Sequence, residues 1–416
     1  MAQGPSSIPA MDLTVRPIVE SETAAFRHAI ARGFGSDARD EGHDRFYATL
    51  PLHRTVAALD GPEIVGTLGE FDLELTVPGG AAMAMAGTTV ATVRPTHRRR
   101  GVLTKMMRLH LDTAHERGDP LAGLWAAETA IYGRYGFGCA ADRHDVELDT
   151  RNTSFAPPPD EVRVDLVDGS AASQLLPGMY EAVRRSRAGM LSRSPVWWEH
   201  RRFYDPEHHR DGASERRYAV AMRDGAPTGY AMFRQKEKWE GFVPNGEIIV
   251  IEVVAGDDTA RRALWHLLTS IDLFPNVNWW DAPVDDPIVW EASNRRIVKR
   301  TVWDSIWVSI LDVETALEGR AYEADGRLLL GLTHPFCPWA EGTYELVVTA
   351  GATSCRRVTA DPDVRLDAAE LGALYLGGRS AVALARAGRI EGSSAAVALA
   401  DRMFRTAVAP WCPEVF

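Results

Sequence analysis

Residues 90–138 constrain this chain more than any other stretch. They read V-A-T-V-R-P-T-H-R-R-R-G-V-L-T-K-M-M, then a helical run, then L-W-A-A-E-T-A-I-Y-G-R-Y-G-F-G. An apolar, β-rich run stops at Pro95 and a basic turn follows at 97–101. Apolar residues then recur at helical spacing: Leu103, Met106, Met107, Leu111 and Ala114. Such a succession aims the unpaired first N–H groups of a helix, and the positive end of its dipole, at the turn. That arrangement holds phosphates. Gly101 lets backbone approach an anion without a Cβ in the way, and Arg99 and Arg100 add charge. R-R-R-G alone also fits a solvated basic turn; the apolar strand before it and the amphipathic helix after it favour the phosphate reading.

The rest of the chain sets bounds. At 416 residues it is too long for one compact core, so two or three domains are expected. A net charge of −11 argues against nucleic acid as partner and is compatible with cationic substrates. No run approaches the ~18 apolar residues that span a bilayer, so no membrane is expected. Cys139, Cys337, Cys355 and Cys412 form no C-x-x-C pair, and His97, His110 and His115 have no ligand grouping, so no metal is expected. The first 11 residues are punctuated by Gly, Pro and Ser, read as unstructured, and lack the features of a signal peptide. A reduced, cytoplasmic setting is the expectation.

In order, a strand at 13–18, helices at 21–30 and 43–50, a hairpin at 54–68 and a meander to Val93 precede the central stretch. Strands at 121–125 and 146–148 flank a short helix at 131–135, and the Pro-rich 155–159 is a linker. The same succession recurs from Val162: strand, helix, a helix opened by Ser194, a hairpin at 217–233, a strand at 247–254 and an amphipathic helix at 261–274. This reads as an internal duplication. No R-R-R-G-like turn stands between Val254 and Arg261, so the second copy is expected to be a scaffold. From Trp307 onward short strands and helices alternate. The expected fold class is α+β, in three units: 12–150, 160–305 and 306–416.

V-x-P-T-H-R-R-R-G-V-L followed by I-Y-G-R-Y-G-F-G resembles the acetyl-CoA site of GCN5-related N-acetyltransferases (GNAT). More narrowly, the whole chain resembles the Eis (enhanced intracellular survival) family of bacterial acetyltransferases. The resemblance implies tandem GNAT folds, mixed sheets flanked by helices, with a catalytic first and a degenerate second copy. A small sterol-carrier-protein-like α+β domain then supplies the terminal carboxylate.

It further implies that Ala91, Thr92 and Val93 pair with the pantetheine arm and that Arg99, Arg100, Gly101, Val102, Leu103 and Thr104 hold the pyrophosphate. Ala127 and Glu128 lie further along the cofactor, with alanine where the family commonly has serine. A thioester attacked by an amine needs an oxyanion donor, such as a backbone N–H near Val93, and an acid for the leaving thiolate. Tyr132 matches the family's catalytic tyrosine; Tyr135, one turn on, is the competing candidate.

The carboxylate of Phe416 matches the group assigned as proton acceptor. Its pKa of roughly 3.5 against about 10 for an alkylammonium makes it an electrostatic anchor rather than a strong base. Glu414, Asp37 and Glu41 are further candidates for negative charge near the acceptor. The expected activity is acetyl transfer from acetyl-CoA, with no metal, to a primary amine of a cationic, aminoglycoside-, polyamine- or lysine-like substrate. The expected assembly is a homohexamer. The alternative is a lipid or small-ligand carrier acting through the C-terminal domain.

Overall fold

A computed structural model describes residues 13–38, 42–157 and 161–416. The N-terminal stretch expected to be unstructured, Glu41 and the end of the proline linker lie outside these residues.

The first sheet contains β1 (Leu13–Arg16), β2 (Thr55–Asp60), β3 (Glu63–Thr76), β4 (Ala82–Val93), β5 (Leu121–Trp125) and β6 (Gly138–Cys139). Helices α1 (Thr23–Gly33) and α2 (His43–Thr49) precede β2, and α3 (Val102–Arg117) joins β4 to β5. Both faces are covered, which is why β2 reads as a continuous apolar run. Val56 and Ala58 join the α3 core with Met106, Met107 and Leu111, while Ala57 and Leu59 pack with Phe26 of α1.

The first sheet is not closed by the next stretch of chain. Strand β7 (Asp142–Asp149) leaves for a second seven-stranded sheet, pairing there with Lys299–Asp304 and Asn276–Pro283. In exchange, Ile306–Ile310 returns and inserts between β5 and β6. The boundaries expected at 150 and 305 are therefore crossed by strands in both directions. Alternation alone could not reveal this. Val146 and Leu148 bury one face wherever they pair, and the partner they find is the core around Val277 and Trp279.

The second sheet repeats the central feature of the first, a parallel pair at its middle, Glu247–Ala255 beside Asn276–Pro283. The third unit carries the five-stranded sheet Ala352–Val358, Gly342–Thr349, Gly326–Thr333, Val364–Asp367 and Ile390–Gly392. Its helix Ala368–Tyr375 is buried along its whole length and lies on the first sheet. Two glycines permit that approach. A Cβ on Gly138 would stand 1.7 Å from the Ala369 carbonyl oxygen, and one on Gly372 2.1 Å from that of Val308. No helix among the described residues is long and apolar enough to cross a membrane.

Candidate active site

Strands β4 and β5 pair in parallel at three steps only: Met85–Leu121, Ala86–Ala122 and Gly87–Gly123. Beyond them they splay. Val90 sits at φ 44, and the β3–β4 register slips between Thr67 and Gly69, so β4 carries a bulge that bends it away from β5. A β-branched residue at positive φ costs of order 1–3 kcal/mol and persists only when its surroundings enforce it. Here Thr67 Oγ1 donates to the Val90 carbonyl at 2.8 Å and lies 2.8 Å from Thr92 Oγ1. Because Thr67 has one proton to give, Thr92 donates to it. The wedge so opened exposes the backbone edge of Ala91, Thr92 and Val93.

At the wide end of the wedge the turn adopts left-handed backbone twice, at Arg99 (φ 60) and Gly101 (φ 78). Gly101 is the N-cap residue of α3, and a Cβ there would meet nothing within 4 Å. The N–H groups of the first turn of α3 thus face open space, an anion nest at the end of a 16-residue helix. A cavity of about 520 Å³ fills the wedge. Ala91, Thr92, Val93, Arg99, Gly101, Val102, Leu103, Thr104, Ala127, Glu128 and Tyr132 all line it. Arg100 does not. His97 and Arg98, which precede the left-handed turn at Arg99, line it as well. Ala127 and Glu128 lie just past β5, at the bend before the short helix Thr129–Tyr132, rather than on a strand.

Tyr132 also lines a second cavity of about 300 Å³, which shares Phe34, Ala91 and Ala127 with the first. The last two residues of the chain, Val415 and Phe416, form its opposite wall. Tyr132 is 7% and Phe416 8% exposed. Burial, reinforced by Glu128, raises the Tyr132 phenol above its ordinary value of 10.0, so it holds its proton. Tyr135 instead bonds to Thr104 Oγ1 at 3.2 Å and packs edge-on against Phe336, a structural role. His110 is tied between Thr88 at 2.7 Å and Glu70 at 3.1 Å, behind the sheet. No metal-binding cluster occurs among the described residues.

The tail reaches this place through the second unit. Trp411 Nε1 donates to the Asp281 carbonyl at 2.9 Å, and Trp411 N to that of Ala188 at 2.9 Å. Glu414, 2% exposed, pairs with Arg193, whose other face grips Glu252. Arg202 bonds Glu252 at 2.6 Å and approaches Glu414 at 3.8 Å. Tyr180 covers the Arg193 guanidinium at 3.6 Å. Two cations and two carboxylates thus balance in a buried cluster. Burial works to raise the Glu252 carboxyl, but Arg193 and Arg202 outweigh it and hold it below its ordinary value. Glu252 and Asp281 stand just beyond the last parallel pair of the second sheet, Val250–Trp279, where the first sheet opens its cofactor wedge. In the second copy this wedge receives the tail.

Three family models match in series: acetyltransferase (GNAT) domain over residues 14–140, acetyltransferase (GNAT) domain over 189–310 and sterol carrier protein domain over 313–413. A protein named N-acetyltransferase Eis from Mycobacterium tuberculosis is 31% identical over 343 residues, covering 80% of each chain. The chain belongs to the Eis family of GNAT N-acetyltransferases. An uncharacterized N-acetyltransferase from Streptomyces avermitilis is 37% identical over 98% of this chain and the whole of its own. The crystal structure of Eis1 from Mycobacterium abscessus superposes with a TM-score of 0.84 at 27% identity, covering 97% of this chain and all of that one. As an Eis-family member the protein is an acetyltransferase enzyme with two GNAT units followed by a sterol-carrier-like unit.

One buried group near the tail has a measurable signature. Asp281 Oδ1 finds no hydrogen-bond partner among the described residues, and burial, opposed by Arg143, pushes its carboxyl well above the ordinary value. The folded chain keeps this proton, whereas the unfolded chain releases it above about pH 4. Folding therefore takes up a proton, and wild-type stability falls as pH rises above that value. Asp281→Asn removes this loss. Its melting temperature is expected to gain on that of wild type as pH rises above about 4; a margin independent of pH would refute the assignment.

Proposed function

We propose that the chain transfers the acetyl group of acetyl-CoA to a primary amine at the wedge of the first sheet. The observation that carries this is the meeting of buried Tyr132 and the C-terminal Phe416 on one cavity, continuous with an anion nest at the far end. The residues fit the cofactor: an unpaired β4 edge for an amide-bearing arm, and open space before Gly101 for a pyrophosphate. When bound, acetyl-CoA supplies an activated thioester. Tyr132 Oη then donates a proton at the position of the leaving sulfur, and the Phe416 carboxylate holds the incoming ammonium while its proton passes to water. Phe34, Trp125 and Phe416 give this end of the cleft apolar walls.

The test is coenzyme A release across a panel of amines, with thermal stabilisation by acetyl-CoA as the binding control. Gly101→Val places a branched side chain in the nest at a left-handed φ, and is expected to raise the acetyl-CoA dissociation constant at least about tenfold, with unchanged fold by circular dichroism. Unaltered binding would sink the nest.

The carrier reading has less to rest on. The cavity of about 610 Å³ in the third unit is ringed by Glu341, Arg365, Asp367, Glu370, Arg389 and Glu391, a lining hostile to an acyl chain. All four cysteines are free thiols, which supports a reducing, cytoplasmic location. Exposed Trp239, Phe242 and Val243 on one hairpin, with Trp303 on an edge strand, support the homo-oligomer, a hexamer, that the family resemblance implies.

A further inference from the structure

The last parallel pair between β4 and β5 is Gly87–Gly123. Thr88, the next residue of β4, therefore stands at the apex of the wedge. It lines the cavity that Tyr132, Val415 and Phe416 share. Directly opposite Thr88 on β3 is Glu70, and residues so paired share one face of a sheet. His110 of α3 lies over both. Its Nε2 is 2.7 Å from Thr88 Oγ1, and its Nδ1 is 3.1 Å from Glu70 Oε2. All three residues are buried.

The direction of each hydrogen bond follows from what each group can give. Burial works to raise the Glu70 carboxyl, but His110, Arg117 and Arg54 outweigh it and hold it below its ordinary value. A carboxylate only accepts, so Nδ1 carries a proton and donates to it. In the neutral ring Nε2 is then the acceptor, and the Thr88 hydroxyl donates. A hydroxyl residue of the cavity wall is thus backed by an imidazole, itself oriented by a carboxylate. That order of groups lets a hydroxyl pass a proton on.

The surrounding charges leave room for that proton. Arg54 pairs with Glu70 and faces Asp72 at 3.4 Å. Arg117 holds Glu70 at 2.5 Å and pairs with Asp119 as well. Three carboxylates meet two guanidinium groups, so one negative charge is left over beside the neutral ring. A proton arriving at His110 brings this cluster to neutrality.

We propose that Thr88, His110 and Glu70 relay the proton that the acceptor ammonium must lose before its nitrogen can attack. The ammonium held at the Phe416 carboxylate gives a proton to Thr88 Oγ1 while the Thr88 hydroxyl proton moves to His110 Nε2. Glu70 holds the imidazolium so formed. The nitrogen then bonds the acetyl carbon as the bond from that carbon to sulfur breaks. Of the two protons the nitrogen loses, one balances the proton that Tyr132 gives the sulfur. The other returns from His110 through Thr88 to water once the product has left. His110 and Glu70 act through Thr88 and touch no substrate. The proposal rests on the acetyltransferase reading and adds the path by which the amine's proton leaves.

The test reads the ring first and the rate second. In the free enzyme at pH 8, the ring ¹⁵N resonances of His110, assigned by their loss in His110→Gln, are expected to show the proton on Nδ1. A proton on Nε2 overturns the relay, because the ring could then take none from Thr88. His110→Gln keeps an acceptor for Thr88 and a donor for Glu70 but cannot hold an extra proton. With the amine that the wild type acetylates fastest, its kcat is expected to fall about a hundredfold. Acetyl-CoA affinity should stay within about twofold. The deficit should narrow towards about pH 10, where an alkylamine arrives without its proton. Thr88→Val should match His110→Gln, and Thr88→Ser, which restores the hydroxyl, should regain most of the rate. Near-normal kcat in His110→Gln, a deficit equal at every pH, or a Thr88→Ser no better than Thr88→Val overturns the relay and leaves acetyl transfer standing. Absence of acetyl-CoA stabilisation and of coenzyme A release with every amine would bring down the acetyltransferase reading, and this one with it.

Discussion

Tyr132→Phe is expected to lower kcat about a thousandfold, within the range ascribed to a positioned general acid, while acetyl-CoA binds within about twofold of wild type. The ring is 7% exposed and lines both cavities, so phenylalanine keeps the packing and removes only the proton. Burial raises the phenol above 10.0, which adds a second signature. The proton stays on the oxygen through the ordinary alkaline range, so wild-type kcat should show no Tyr132-dependent decline up to pH 10. A Tyr132→Phe enzyme with near-normal kcat would assign the acid elsewhere. Tyr135 would then be the next residue to test, although its hydroxyl is engaged with Thr104.

Glu414→Gln is expected to produce the second large effect. Arg193, Arg202, Glu252 and Glu414 balance in a space where Arg193 and Glu252 side chains are 0% exposed. Removing one carboxylate leaves a buried guanidinium uncompensated, a change that costs about 3–5 kcal/mol in comparable sites. The loss of activity should outrun the loss of stability, because Glu414 stands two residues from the terminal carboxylate.

The double variant Arg193→Met/Glu414→Gln separates the two. It leaves Arg202 and Glu252 as a balanced pair, so the melting temperature should recover, while kcat should remain at least about tenfold down because the tail has lost its anchor. Recovery of both would reduce the cluster to a stabilising role. A few residues appended after Phe416 should mimic the catalytic defect without touching the cluster, since they carry the carboxylate out of its buried place.

How much of this was legible depended on how local each cause was. The nest was legible because Pro95, Gly101 and the α3 periodicity lie within one short stretch. Arg100, expected with Arg99 at the pyrophosphate, is not among the residues lining the cavity, whereas Arg98 and Arg99 are, and no pattern of charge in R-R-R-G distinguishes them. The wedge depends on the bulge at Val90, whose residue type argues against it; only its hydrogen bonds to Thr67 explain it.

The tail clamp was the least visible. Arg193 and Glu414 stand 221 residues apart. The one hint was Glu252, an acid in the interior of the apolar strand E-I-I-V-I-E-V-V-A, a placement that demands a buried partner without naming it. Likewise, Arg45 and His200 belong to separate units and come together only in the fold.

The exchanged strands also set a timetable for synthesis. Because Ile306–Ile310 sits between β5 and β6, an emerging chain cannot complete its catalytic sheet until most of the polypeptide has been made. The cleft waits longer still, because residues 415 and 416 form part of its wall.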